Sequence, residues 1–209
     1  MKKLSLVLLS AVLFASCTTN PKGDKAATSD EIEATAVSEG TTYAIDPSSS
    51  SITWTGNKVT RAHTGTIKLS SGSVVINEGK LTGGEFSIDM NSIENEDLKD
   101  DEVNKGKLEG HLKSPDFFDV TSYPTSTFVI TEVSEGSSDK VDVAGNLTIR
   151  GITKNVKFPI IISQNTGELF VGSADFNINR KDWGVAYEGM KDDLISDEVN
   201  FKVSLTAKK

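Results

Sequence analysis

Apolar and polar residues alternate along most of this chain. Ile52-Thr53-Trp54-Thr55 does so, as does Gly65-Thr66-Ile67-Lys68-Leu69. Val74 and Ile76 follow, then Phe86-Ser87-Ile88-Asp89-Met90. The pattern resumes in Phe128-Val129-Ile130-Thr131-Glu132-Val133, in Val141-Asp142-Val143 running on to Leu147-Thr148-Ile149, and in Val156-Lys157-Phe158-Pro159-Ile160. Phe170 to Ile178 continues it, and Val199-Asn200-Phe201-Lys202-Val203-Ser204-Leu205-Thr206 is the cleanest run. A period of two places one set of side chains inward and the other outward, which predicts β-strands with one buried face. Turn-forming clusters separate the runs at Asn77-Glu78-Gly79, Glu135-Gly136-Ser137, Arg150-Gly151 and Asn165-Thr166-Gly167. Gly83-Gly84 breaks the parity between Leu81 and Phe86, as a bulge would, and Pro159 inside a strand predicts an edge or a bulge. Regularly spaced antiparallel strands of this kind make a sandwich or a barrel.

Two stretches depart from the pattern. Glu94 to Leu112 is charged, with Leu98, Val103, Leu108 and Leu112 four to five residues apart. This loose stripe predicts an α-helical excursion between two strands, weakened by Gly106 and Gly110. Ser114-Pro115 then reads as a cap followed by Pro at a first helical position, with Asp116 to Asp119 forming a short turn. The second stretch is the beginning of the chain. Met1-Lys2-Lys3 is basic, Leu4 to Phe14 is almost wholly apolar but too short to span a bilayer, and Ala15-Ser16 precede Cys17. This resembles a bacterial lipoprotein signal, in which the cysteine thiol receives a diacylglycerol and cleavage leaves Cys17 as the first residue. Cys17 is the only cysteine, so no internal disulfide competes for it. Thr18 to Thr41 carries no aromatic residue and only Ile32 and Val37 as larger aliphatics, which predicts a flexible tether. Its ends would lie roughly 25–30 Å apart as a coil. The expected organisation is therefore signal peptide 1–17, tether 18–41 and a β-domain 42–209.

Charge narrows the function classes. The 209 residues hold 22 Lys and Arg against 30 Asp and Glu, a net of −8. Removing Lys2 and Lys3 with the signal leaves 20 basic residues and a net of −10. So acidic a surface repels phosphate backbones and excludes nucleic-acid binding. It also has no attraction for anionic headgroups, so contact with a membrane would need the covalent anchor. There is no Gly-x-Ser-x-Gly, phosphate loop or dinucleotide fingerprint, and no metal-ligand spacing around His63 and His111, the only histidines. The expectation is a protein that is not an enzyme and holds no cofactor or metal.

Several longer motifs occur in order. His111-Leu112-Lys113-Ser114-Pro115-Asp116-Phe117-Phe118-Asp119-Val120, followed by Tyr123-Pro124 and Phe128, is one. Gly145-Asn146-Leu147-Thr148-Ile149-Arg150-Gly151-Ile152-Thr153-Lys154 is the second, Phe176-Asn177-Ile178-Asn179-Arg180-Lys181-Asp182-Trp183-Gly184 the third, and Ile195-Ser196-Asp197-Glu198-Val199 the last. Tyr43-Ala44-Ile45-Asp46 and His63-Thr64-Gly65 are shorter matches. Together they resemble the YceI-like family over roughly Thr42 to Lys208. Two places differ: Leu108-Glu109 stand where many members have Arg-Asp, and Ser48 to Ser51 where many have His-Ser. The resemblance implies an all-β fold, an eight-stranded antiparallel lipocalin-like barrel with an elongated apolar tunnel. It also implies a polyisoprenoid or similar long-chain lipid as ligand, such as an isoprenoid quinone. Eight strands make about the smallest barrel that encloses one small ligand.

On that reading the tunnel candidates are Trp54, Phe86, Ile88, Phe117, Phe118, Phe128, Ile130, Leu147, Ile149, Phe158, Phe176 and Trp183. Each would serve equally to fill a solid barrel core. Arg150, Lys154, Arg180 and Lys181, in or beside turns, are candidates for a pyrophosphate or quinone headgroup, since Arg forks phosphate in bidentate fashion. Solvation or pairing with the many carboxylates is the competing role. The expected protein is a lipid-anchored binder that sequesters or shuttles a long-chain isoprenoid. The alternative is an envelope protein with a packed barrel and a protein partner. Thr18 stands where an Asp would retain a lipoprotein in the inner membrane, which favours the outer membrane facing the periplasm.

Overall fold

The computed structural model describes residues 19–34, 39–136 and 140–209; the expected signal peptide and Cys17 lie outside the described residues. The strands are β1 (Asp24–Lys25), β2 (Ala27–Asp30), β3 (Thr41–Ile45), β4 (Ser51–Lys58), β5 (Ala62–Asn77) and β6 (Lys80–Asn95). Helix α1 (Glu102–Lys113) precedes β7 (Thr125–Glu135), β8 (Lys140–Ile149), β9 (Ile152–Asn165), β10 (Leu169–Asn179), β11 (Gly189–Met190) and β12 (Asp193–Lys208). Antiparallel neighbours run β4–β5–β6–β7–β8–β9–β10–β12, and β12 pairs back onto β4, so the sheet closes into an eight-stranded barrel. Strand β3 extends β4 across a 3-10 turn at Pro47–Ser49 and seals the same gap, pairing with both β5 and β12. The all-β barrel with a helical excursion is the architecture expected above.

Local chemistry explains the connections. Glu78-Gly79 and Arg150-Gly151 form two-residue hairpin turns in which both residues have positive φ, a conformation whose twist matches that of the flanking strands. A bulge falls at Thr82, beside the Gly83-Gly84 pair, where Val75 opposes Gly83 but Ile76 opposes Leu81. Strand β6 runs on to Asn95, further than the charged composition from Glu94 predicts, and the helix starts only at Glu102. The Asp101 carboxylate accepts from Asn104 N–H at the N-terminus of α1, and Ser114, ahead of Pro115, ends the helix instead of starting one. No side chain of α1 is fully buried.

The largest departure concerns the expected tether. Residues 24–30 lie in the barrel wall. Strands β9 and β10 pair directly from Asn165–Phe170 to Ile160–Ala174 and then part. Asp24–Lys25 adds to the edge of β10 at Phe176 and Asn177, and Ala27–Asp30 adds to the edge of β9 at Lys157 to Lys154. Pro159 lies where β9 exchanges one neighbour for the other. It is therefore neither at a free edge nor in a bulge, but where a residue without an N–H is tolerated. Ala26 is buried in one cluster with Ile149, Val156, Phe158, Phe176, Ile178 and Trp183. Outward-facing Asn side chains complete the docking. Asn177 donates to Pro21 O at 2.9 Å, and Asn146 both accepts from Ile32 N–H and donates to Ile32 O, at 3.2 and 2.6 Å. Composition does not reveal this, because open strand edges and amides hold a polar segment without any apolar face of its own.

Candidate functional site

The inward faces of the strands enclose an apolar cavity of about 250 Å³ running along the barrel. Eleven of the twelve tunnel candidates line it: Trp54, Phe86, Ile88, Phe117, Phe118, Phe128, Ile130, Leu147, Ile149, Phe158 and Phe176. Trp183 does not. It is fully buried behind the wall, with its indole N–H donated to Leu147 O at 2.9 Å, and it covers the cluster around Ala26. A run of rings crosses the interior from strand to strand. Phe86 and Phe128 are 6.1 Å apart between centroids, Phe128 and Phe158 are 5.7 Å, and Phe176 and Phe201 are 6.1 Å. Phe158 and Phe176 stack at 3.9 Å, nearly parallel. Phe201 was missed among the candidates, although its place in the cleanest alternating run puts it on the same face. Such a lining attracts hydrocarbon and offers it no hydrogen bonds.

The two ends of the cavity differ. At the end with the β5–β6 turn its lining includes the buried Val74, Leu81, Val143 and Phe170 beside the half-buried Ile160, Val203 and Leu205. At the α1 end Gly56, Asn57, Lys58, Leu108, Leu112 and Ile195 line it while half-exposed, and the charged, imidazole and amide side chains of the lining gather there, which marks that end as the mouth. Asn57, Lys58, His63 and Arg180 bring the polar groups of the mouth together. Lys58 pairs with Asp193 at 3.3 Å and His63 Nδ1 meets Asp97 at 2.9 Å. Burial works against the charged form of Asp97, but Thr64 N–H, His63 and the Asn95 amide outweigh it and hold the carboxyl below its ordinary value. A ring cluster flanks the mouth, with His111 edge-on to Phe117 at 5.0 Å and to Tyr187 at 4.7 Å.

Of the four headgroup candidates, only Arg180 reaches the cavity. Its guanidinium is buried and donates to Ser196 O, Val185 O and Ile195 O, so its donors serve the protein itself. Burial pushes its pKa down, against the pull of Asp197 and Glu188. Arg150 sits in the left-handed turn and donates to Gly184 O. Lys154 pairs with Asp30 at 2.8 Å in the wall seam, and Lys181 with Asp197 at 2.9 Å. The Asn57 and Lys58 positions carry no sequence signal of their own. They become mouth residues because β4 ends there, beside the start of β12.

Comparison with known proteins agrees with this geometry. The family model for the YceI-like domain matches residues 43–207. A UPF0312 protein of Pseudomonas putida is 30% identical over 130 residues, 60% of this chain and 65% of that protein. One from Vibrio cholerae is 36% identical over 86 residues, 38% of this chain and 43% of that protein. The chain spans less than two thirds of the length of these curated relatives. Among solved structures, Burkholderia cenocepacia BcnA superposes with a TM-score of 0.66 at 24% identity, covering 78% of this chain and 99% of BcnA. A polyisoprenoid binding domain from Saccharophagus degradans, implicated in plant cell wall breakdown, superposes with a TM-score of 0.57 at 16% identity, covering 79% of this chain and 97% of the domain. At those identities the structures share the fold.

Proposed function

Because the chain belongs to the YceI-like domain family, we propose that it binds a polyisoprenoid or similar long-chain lipid in its apolar cavity, tethered to a membrane through Cys17. The observation that carries this reading is the cavity itself. A well-packed interior has few voids larger than a water, and an apolar void of ~150 Å³ already stays dry and takes up small hydrocarbons. Here about 250 Å³ is lined almost wholly by carbon, with its charged, imidazole and amide side chains gathered at one end. The polar end of a prenyl chain would lie beside Asn57, Lys58 and His63, exchanging with their partners Thr19 O, Asp193 and Asp97, and the hydrocarbon would lie along the phenylalanines. Function is noncovalent burial: the lipid leaves water for the lining, and no bond is made or broken.

The anchor reading rests on the sequence ahead of Thr19, and the outer membrane facing the periplasm is the site it favours. Docking of residues 19–34 shortens the link. Thr19 O already accepts from Asn57 Nδ2 at 2.8 Å, so only two residue steps separate the docked chain from Cys17. They span at most about 7 Å. Storage, protection or local transfer of a membrane lipid fits that reach better than carriage across a compartment.

Native mass spectrometry of the full chain purified from host membranes tests the binding. The expected result is one long-chain isoprenoid per barrel. A barrel that comes out empty and takes up no prenyl lipid in a titration overturns the proposal.

A further inference from the structure

The α1 end of the barrel differs from the other end in what it exposes. Among the described residues, seven large apolar side chains are exposed, and five of them, Val59, Val103, Tyr123, Ile152 and Met190, lie at the α1 end. Scattered exposed apolar residues are ordinary, whereas their collection on one rim marks a contact surface. Val59 is at the tip of the β4–β5 hairpin and is 48% exposed; Met190 is at the tip of the β11–β12 hairpin and is 62% exposed. The two tips are tied to each other. Val59 N–H donates to Leu194 O at 3.1 Å, and Thr60 binds the Asp193 carboxylate through both N–H and hydroxyl, at 3.2 and 2.9 Å. Neither apolar side chain is needed for those bonds, so both are held outward on a braced frame.

Three independent features converge on this rim. The chain emerges here from its first 18 residues, since Thr19 is bonded to Asn57 and Asn20 to Ser196. The charged and amide part of the cavity lining, including Asn57 and Lys58, is here. The exposed apolar tips are here. We propose that the rim carrying Val59 and Met190 docks into the headgroup region of a lipid bilayer and holds the cavity mouth against it. The lipid ligand then passes between membrane and barrel without crossing water. The acidic chain has no attraction for anionic lipid, so the contact is apolar, and the covalent anchor supplies proximity. This inference rests on the anchored lipid-binding reading above.

The test uses the full, processed chain with single Met190→Cys, Val59→Cys and, as control, Ile161→Cys substitutions. Ile161 is 42% exposed on β9, toward the opposite end. If Cys17 is acylated, the introduced thiol is the one that takes an environment-sensitive fluorophore. The proteins are floated with phosphatidylcholine vesicles containing brominated chains. The expected result is quenching at positions 59 and 190 several-fold stronger than at 161. Flotation with equal quenching at all three positions overturns the docking face and leaves the anchor standing. A chain that stays in the supernatant with a reactive Cys17 removes the anchor and this proposal with it. A second measurement follows transfer of a fluorescent prenyl lipid from the vesicles to the Val59→Asp/Met190→Asp double variant. A several-fold slower transfer is expected at unchanged melting temperature, and an unchanged rate overturns the coupling of rim to mouth. Preferential quenching at the rim without any lipid uptake, by contrast, locates the failure in the binding reading.

Discussion

The barrel wall closes differently on its two opposite sides. Across β5 and β6 it is one hairpin, paired from Asn77–Lys80 at the turn to Gly65–Asn95 at the mouth, with bulges that bend it. Every bond there joins residues near in sequence, and the alternation of both strands drives the pairing. Across β9 and β10 direct pairing stops at Ile160–Ala174, and residues from more than a hundred positions earlier fill the seam. That filler buries little more than Ala26, a side chain whose transfer from water contributes about one methyl group's worth, ~0.8 kcal/mol. What keeps it in place is backbone pairing and the amides of Asn146 and Asn177. A wall made by local pairing should open only when the barrel unfolds. A wall completed by a distant polar segment can open by itself, at a free energy below that of global unfolding.

The seam side breaks most severely at Trp183. Trp183→Ala removes a fully buried indole and its bond to Leu147 O, and should cost about 3–5 kcal/mol in urea denaturation. Amide exchange in 154–157 should accelerate more than in β5 and β6. On the sealed side Gly65→Ala is the sharpest probe. A Cβ there would collide with Glu94 O and approach the Trp54 ring to 2.5 Å, and backbone cannot give way as a flexible side chain would. We expect a loss of about 1–3 kcal/mol, read in the same denaturation and shared evenly by all strands. An effect confined to β4–β6 would contradict the view that this side opens only with the whole barrel.

Asn177→Ala should cost less, ~1–2 kcal/mol, by removing the donor to Pro21 O and Glu198. Its signature is selective: faster exchange in 24–30 with β5 and β6 unchanged. The smallest effect is that of pH on the seam. The hydrogen bond from Lys154, and its charge, hold the Asp30 carboxyl below its ordinary value. The ionised form therefore favours docking above the unfolded value of about 3.9, and that contribution is lost as pH falls through the lowered folded value. The Ala26 methyl resonance followed from pH 6 to about pH 3 should shift toward its undocked position only at the acid end. Asp30→Asn should abolish this dependence.

Much of this was legible in the residues. Alternation marked the long strands, and the two-residue turns at Glu78-Gly79 and Arg150-Gly151 sit where the turn-forming residues are, because both signals are local. The inward face could be read too, and eleven of twelve tunnel candidates reach the cavity. Trp183 misled because an aromatic residue in a motif can cover the wall as readily as line it. The placement of the headgroup candidates carries a related lesson. A basic residue beside a turn goes to whatever carboxylate or carbonyl the fold brings near, and Lys154 and Lys181 found theirs in Asp30 and Asp197.

By itself, the sequence determined the strands, their inward faces, the excursion between β6 and β7 and the acidic surface. All are consequences of period, turn chemistry and charge within a few residues. Only the tertiary structure decided that residues 19–34 dock as wall instead of running free, that Trp183 stands behind the lining, and that the mouth, the exposed rim and the entry of the chain share one end. Those outcomes depend on which strand edges remain open once the barrel has curved, and on which side chains then face the gap. No window of neighbouring residues contains that geometry.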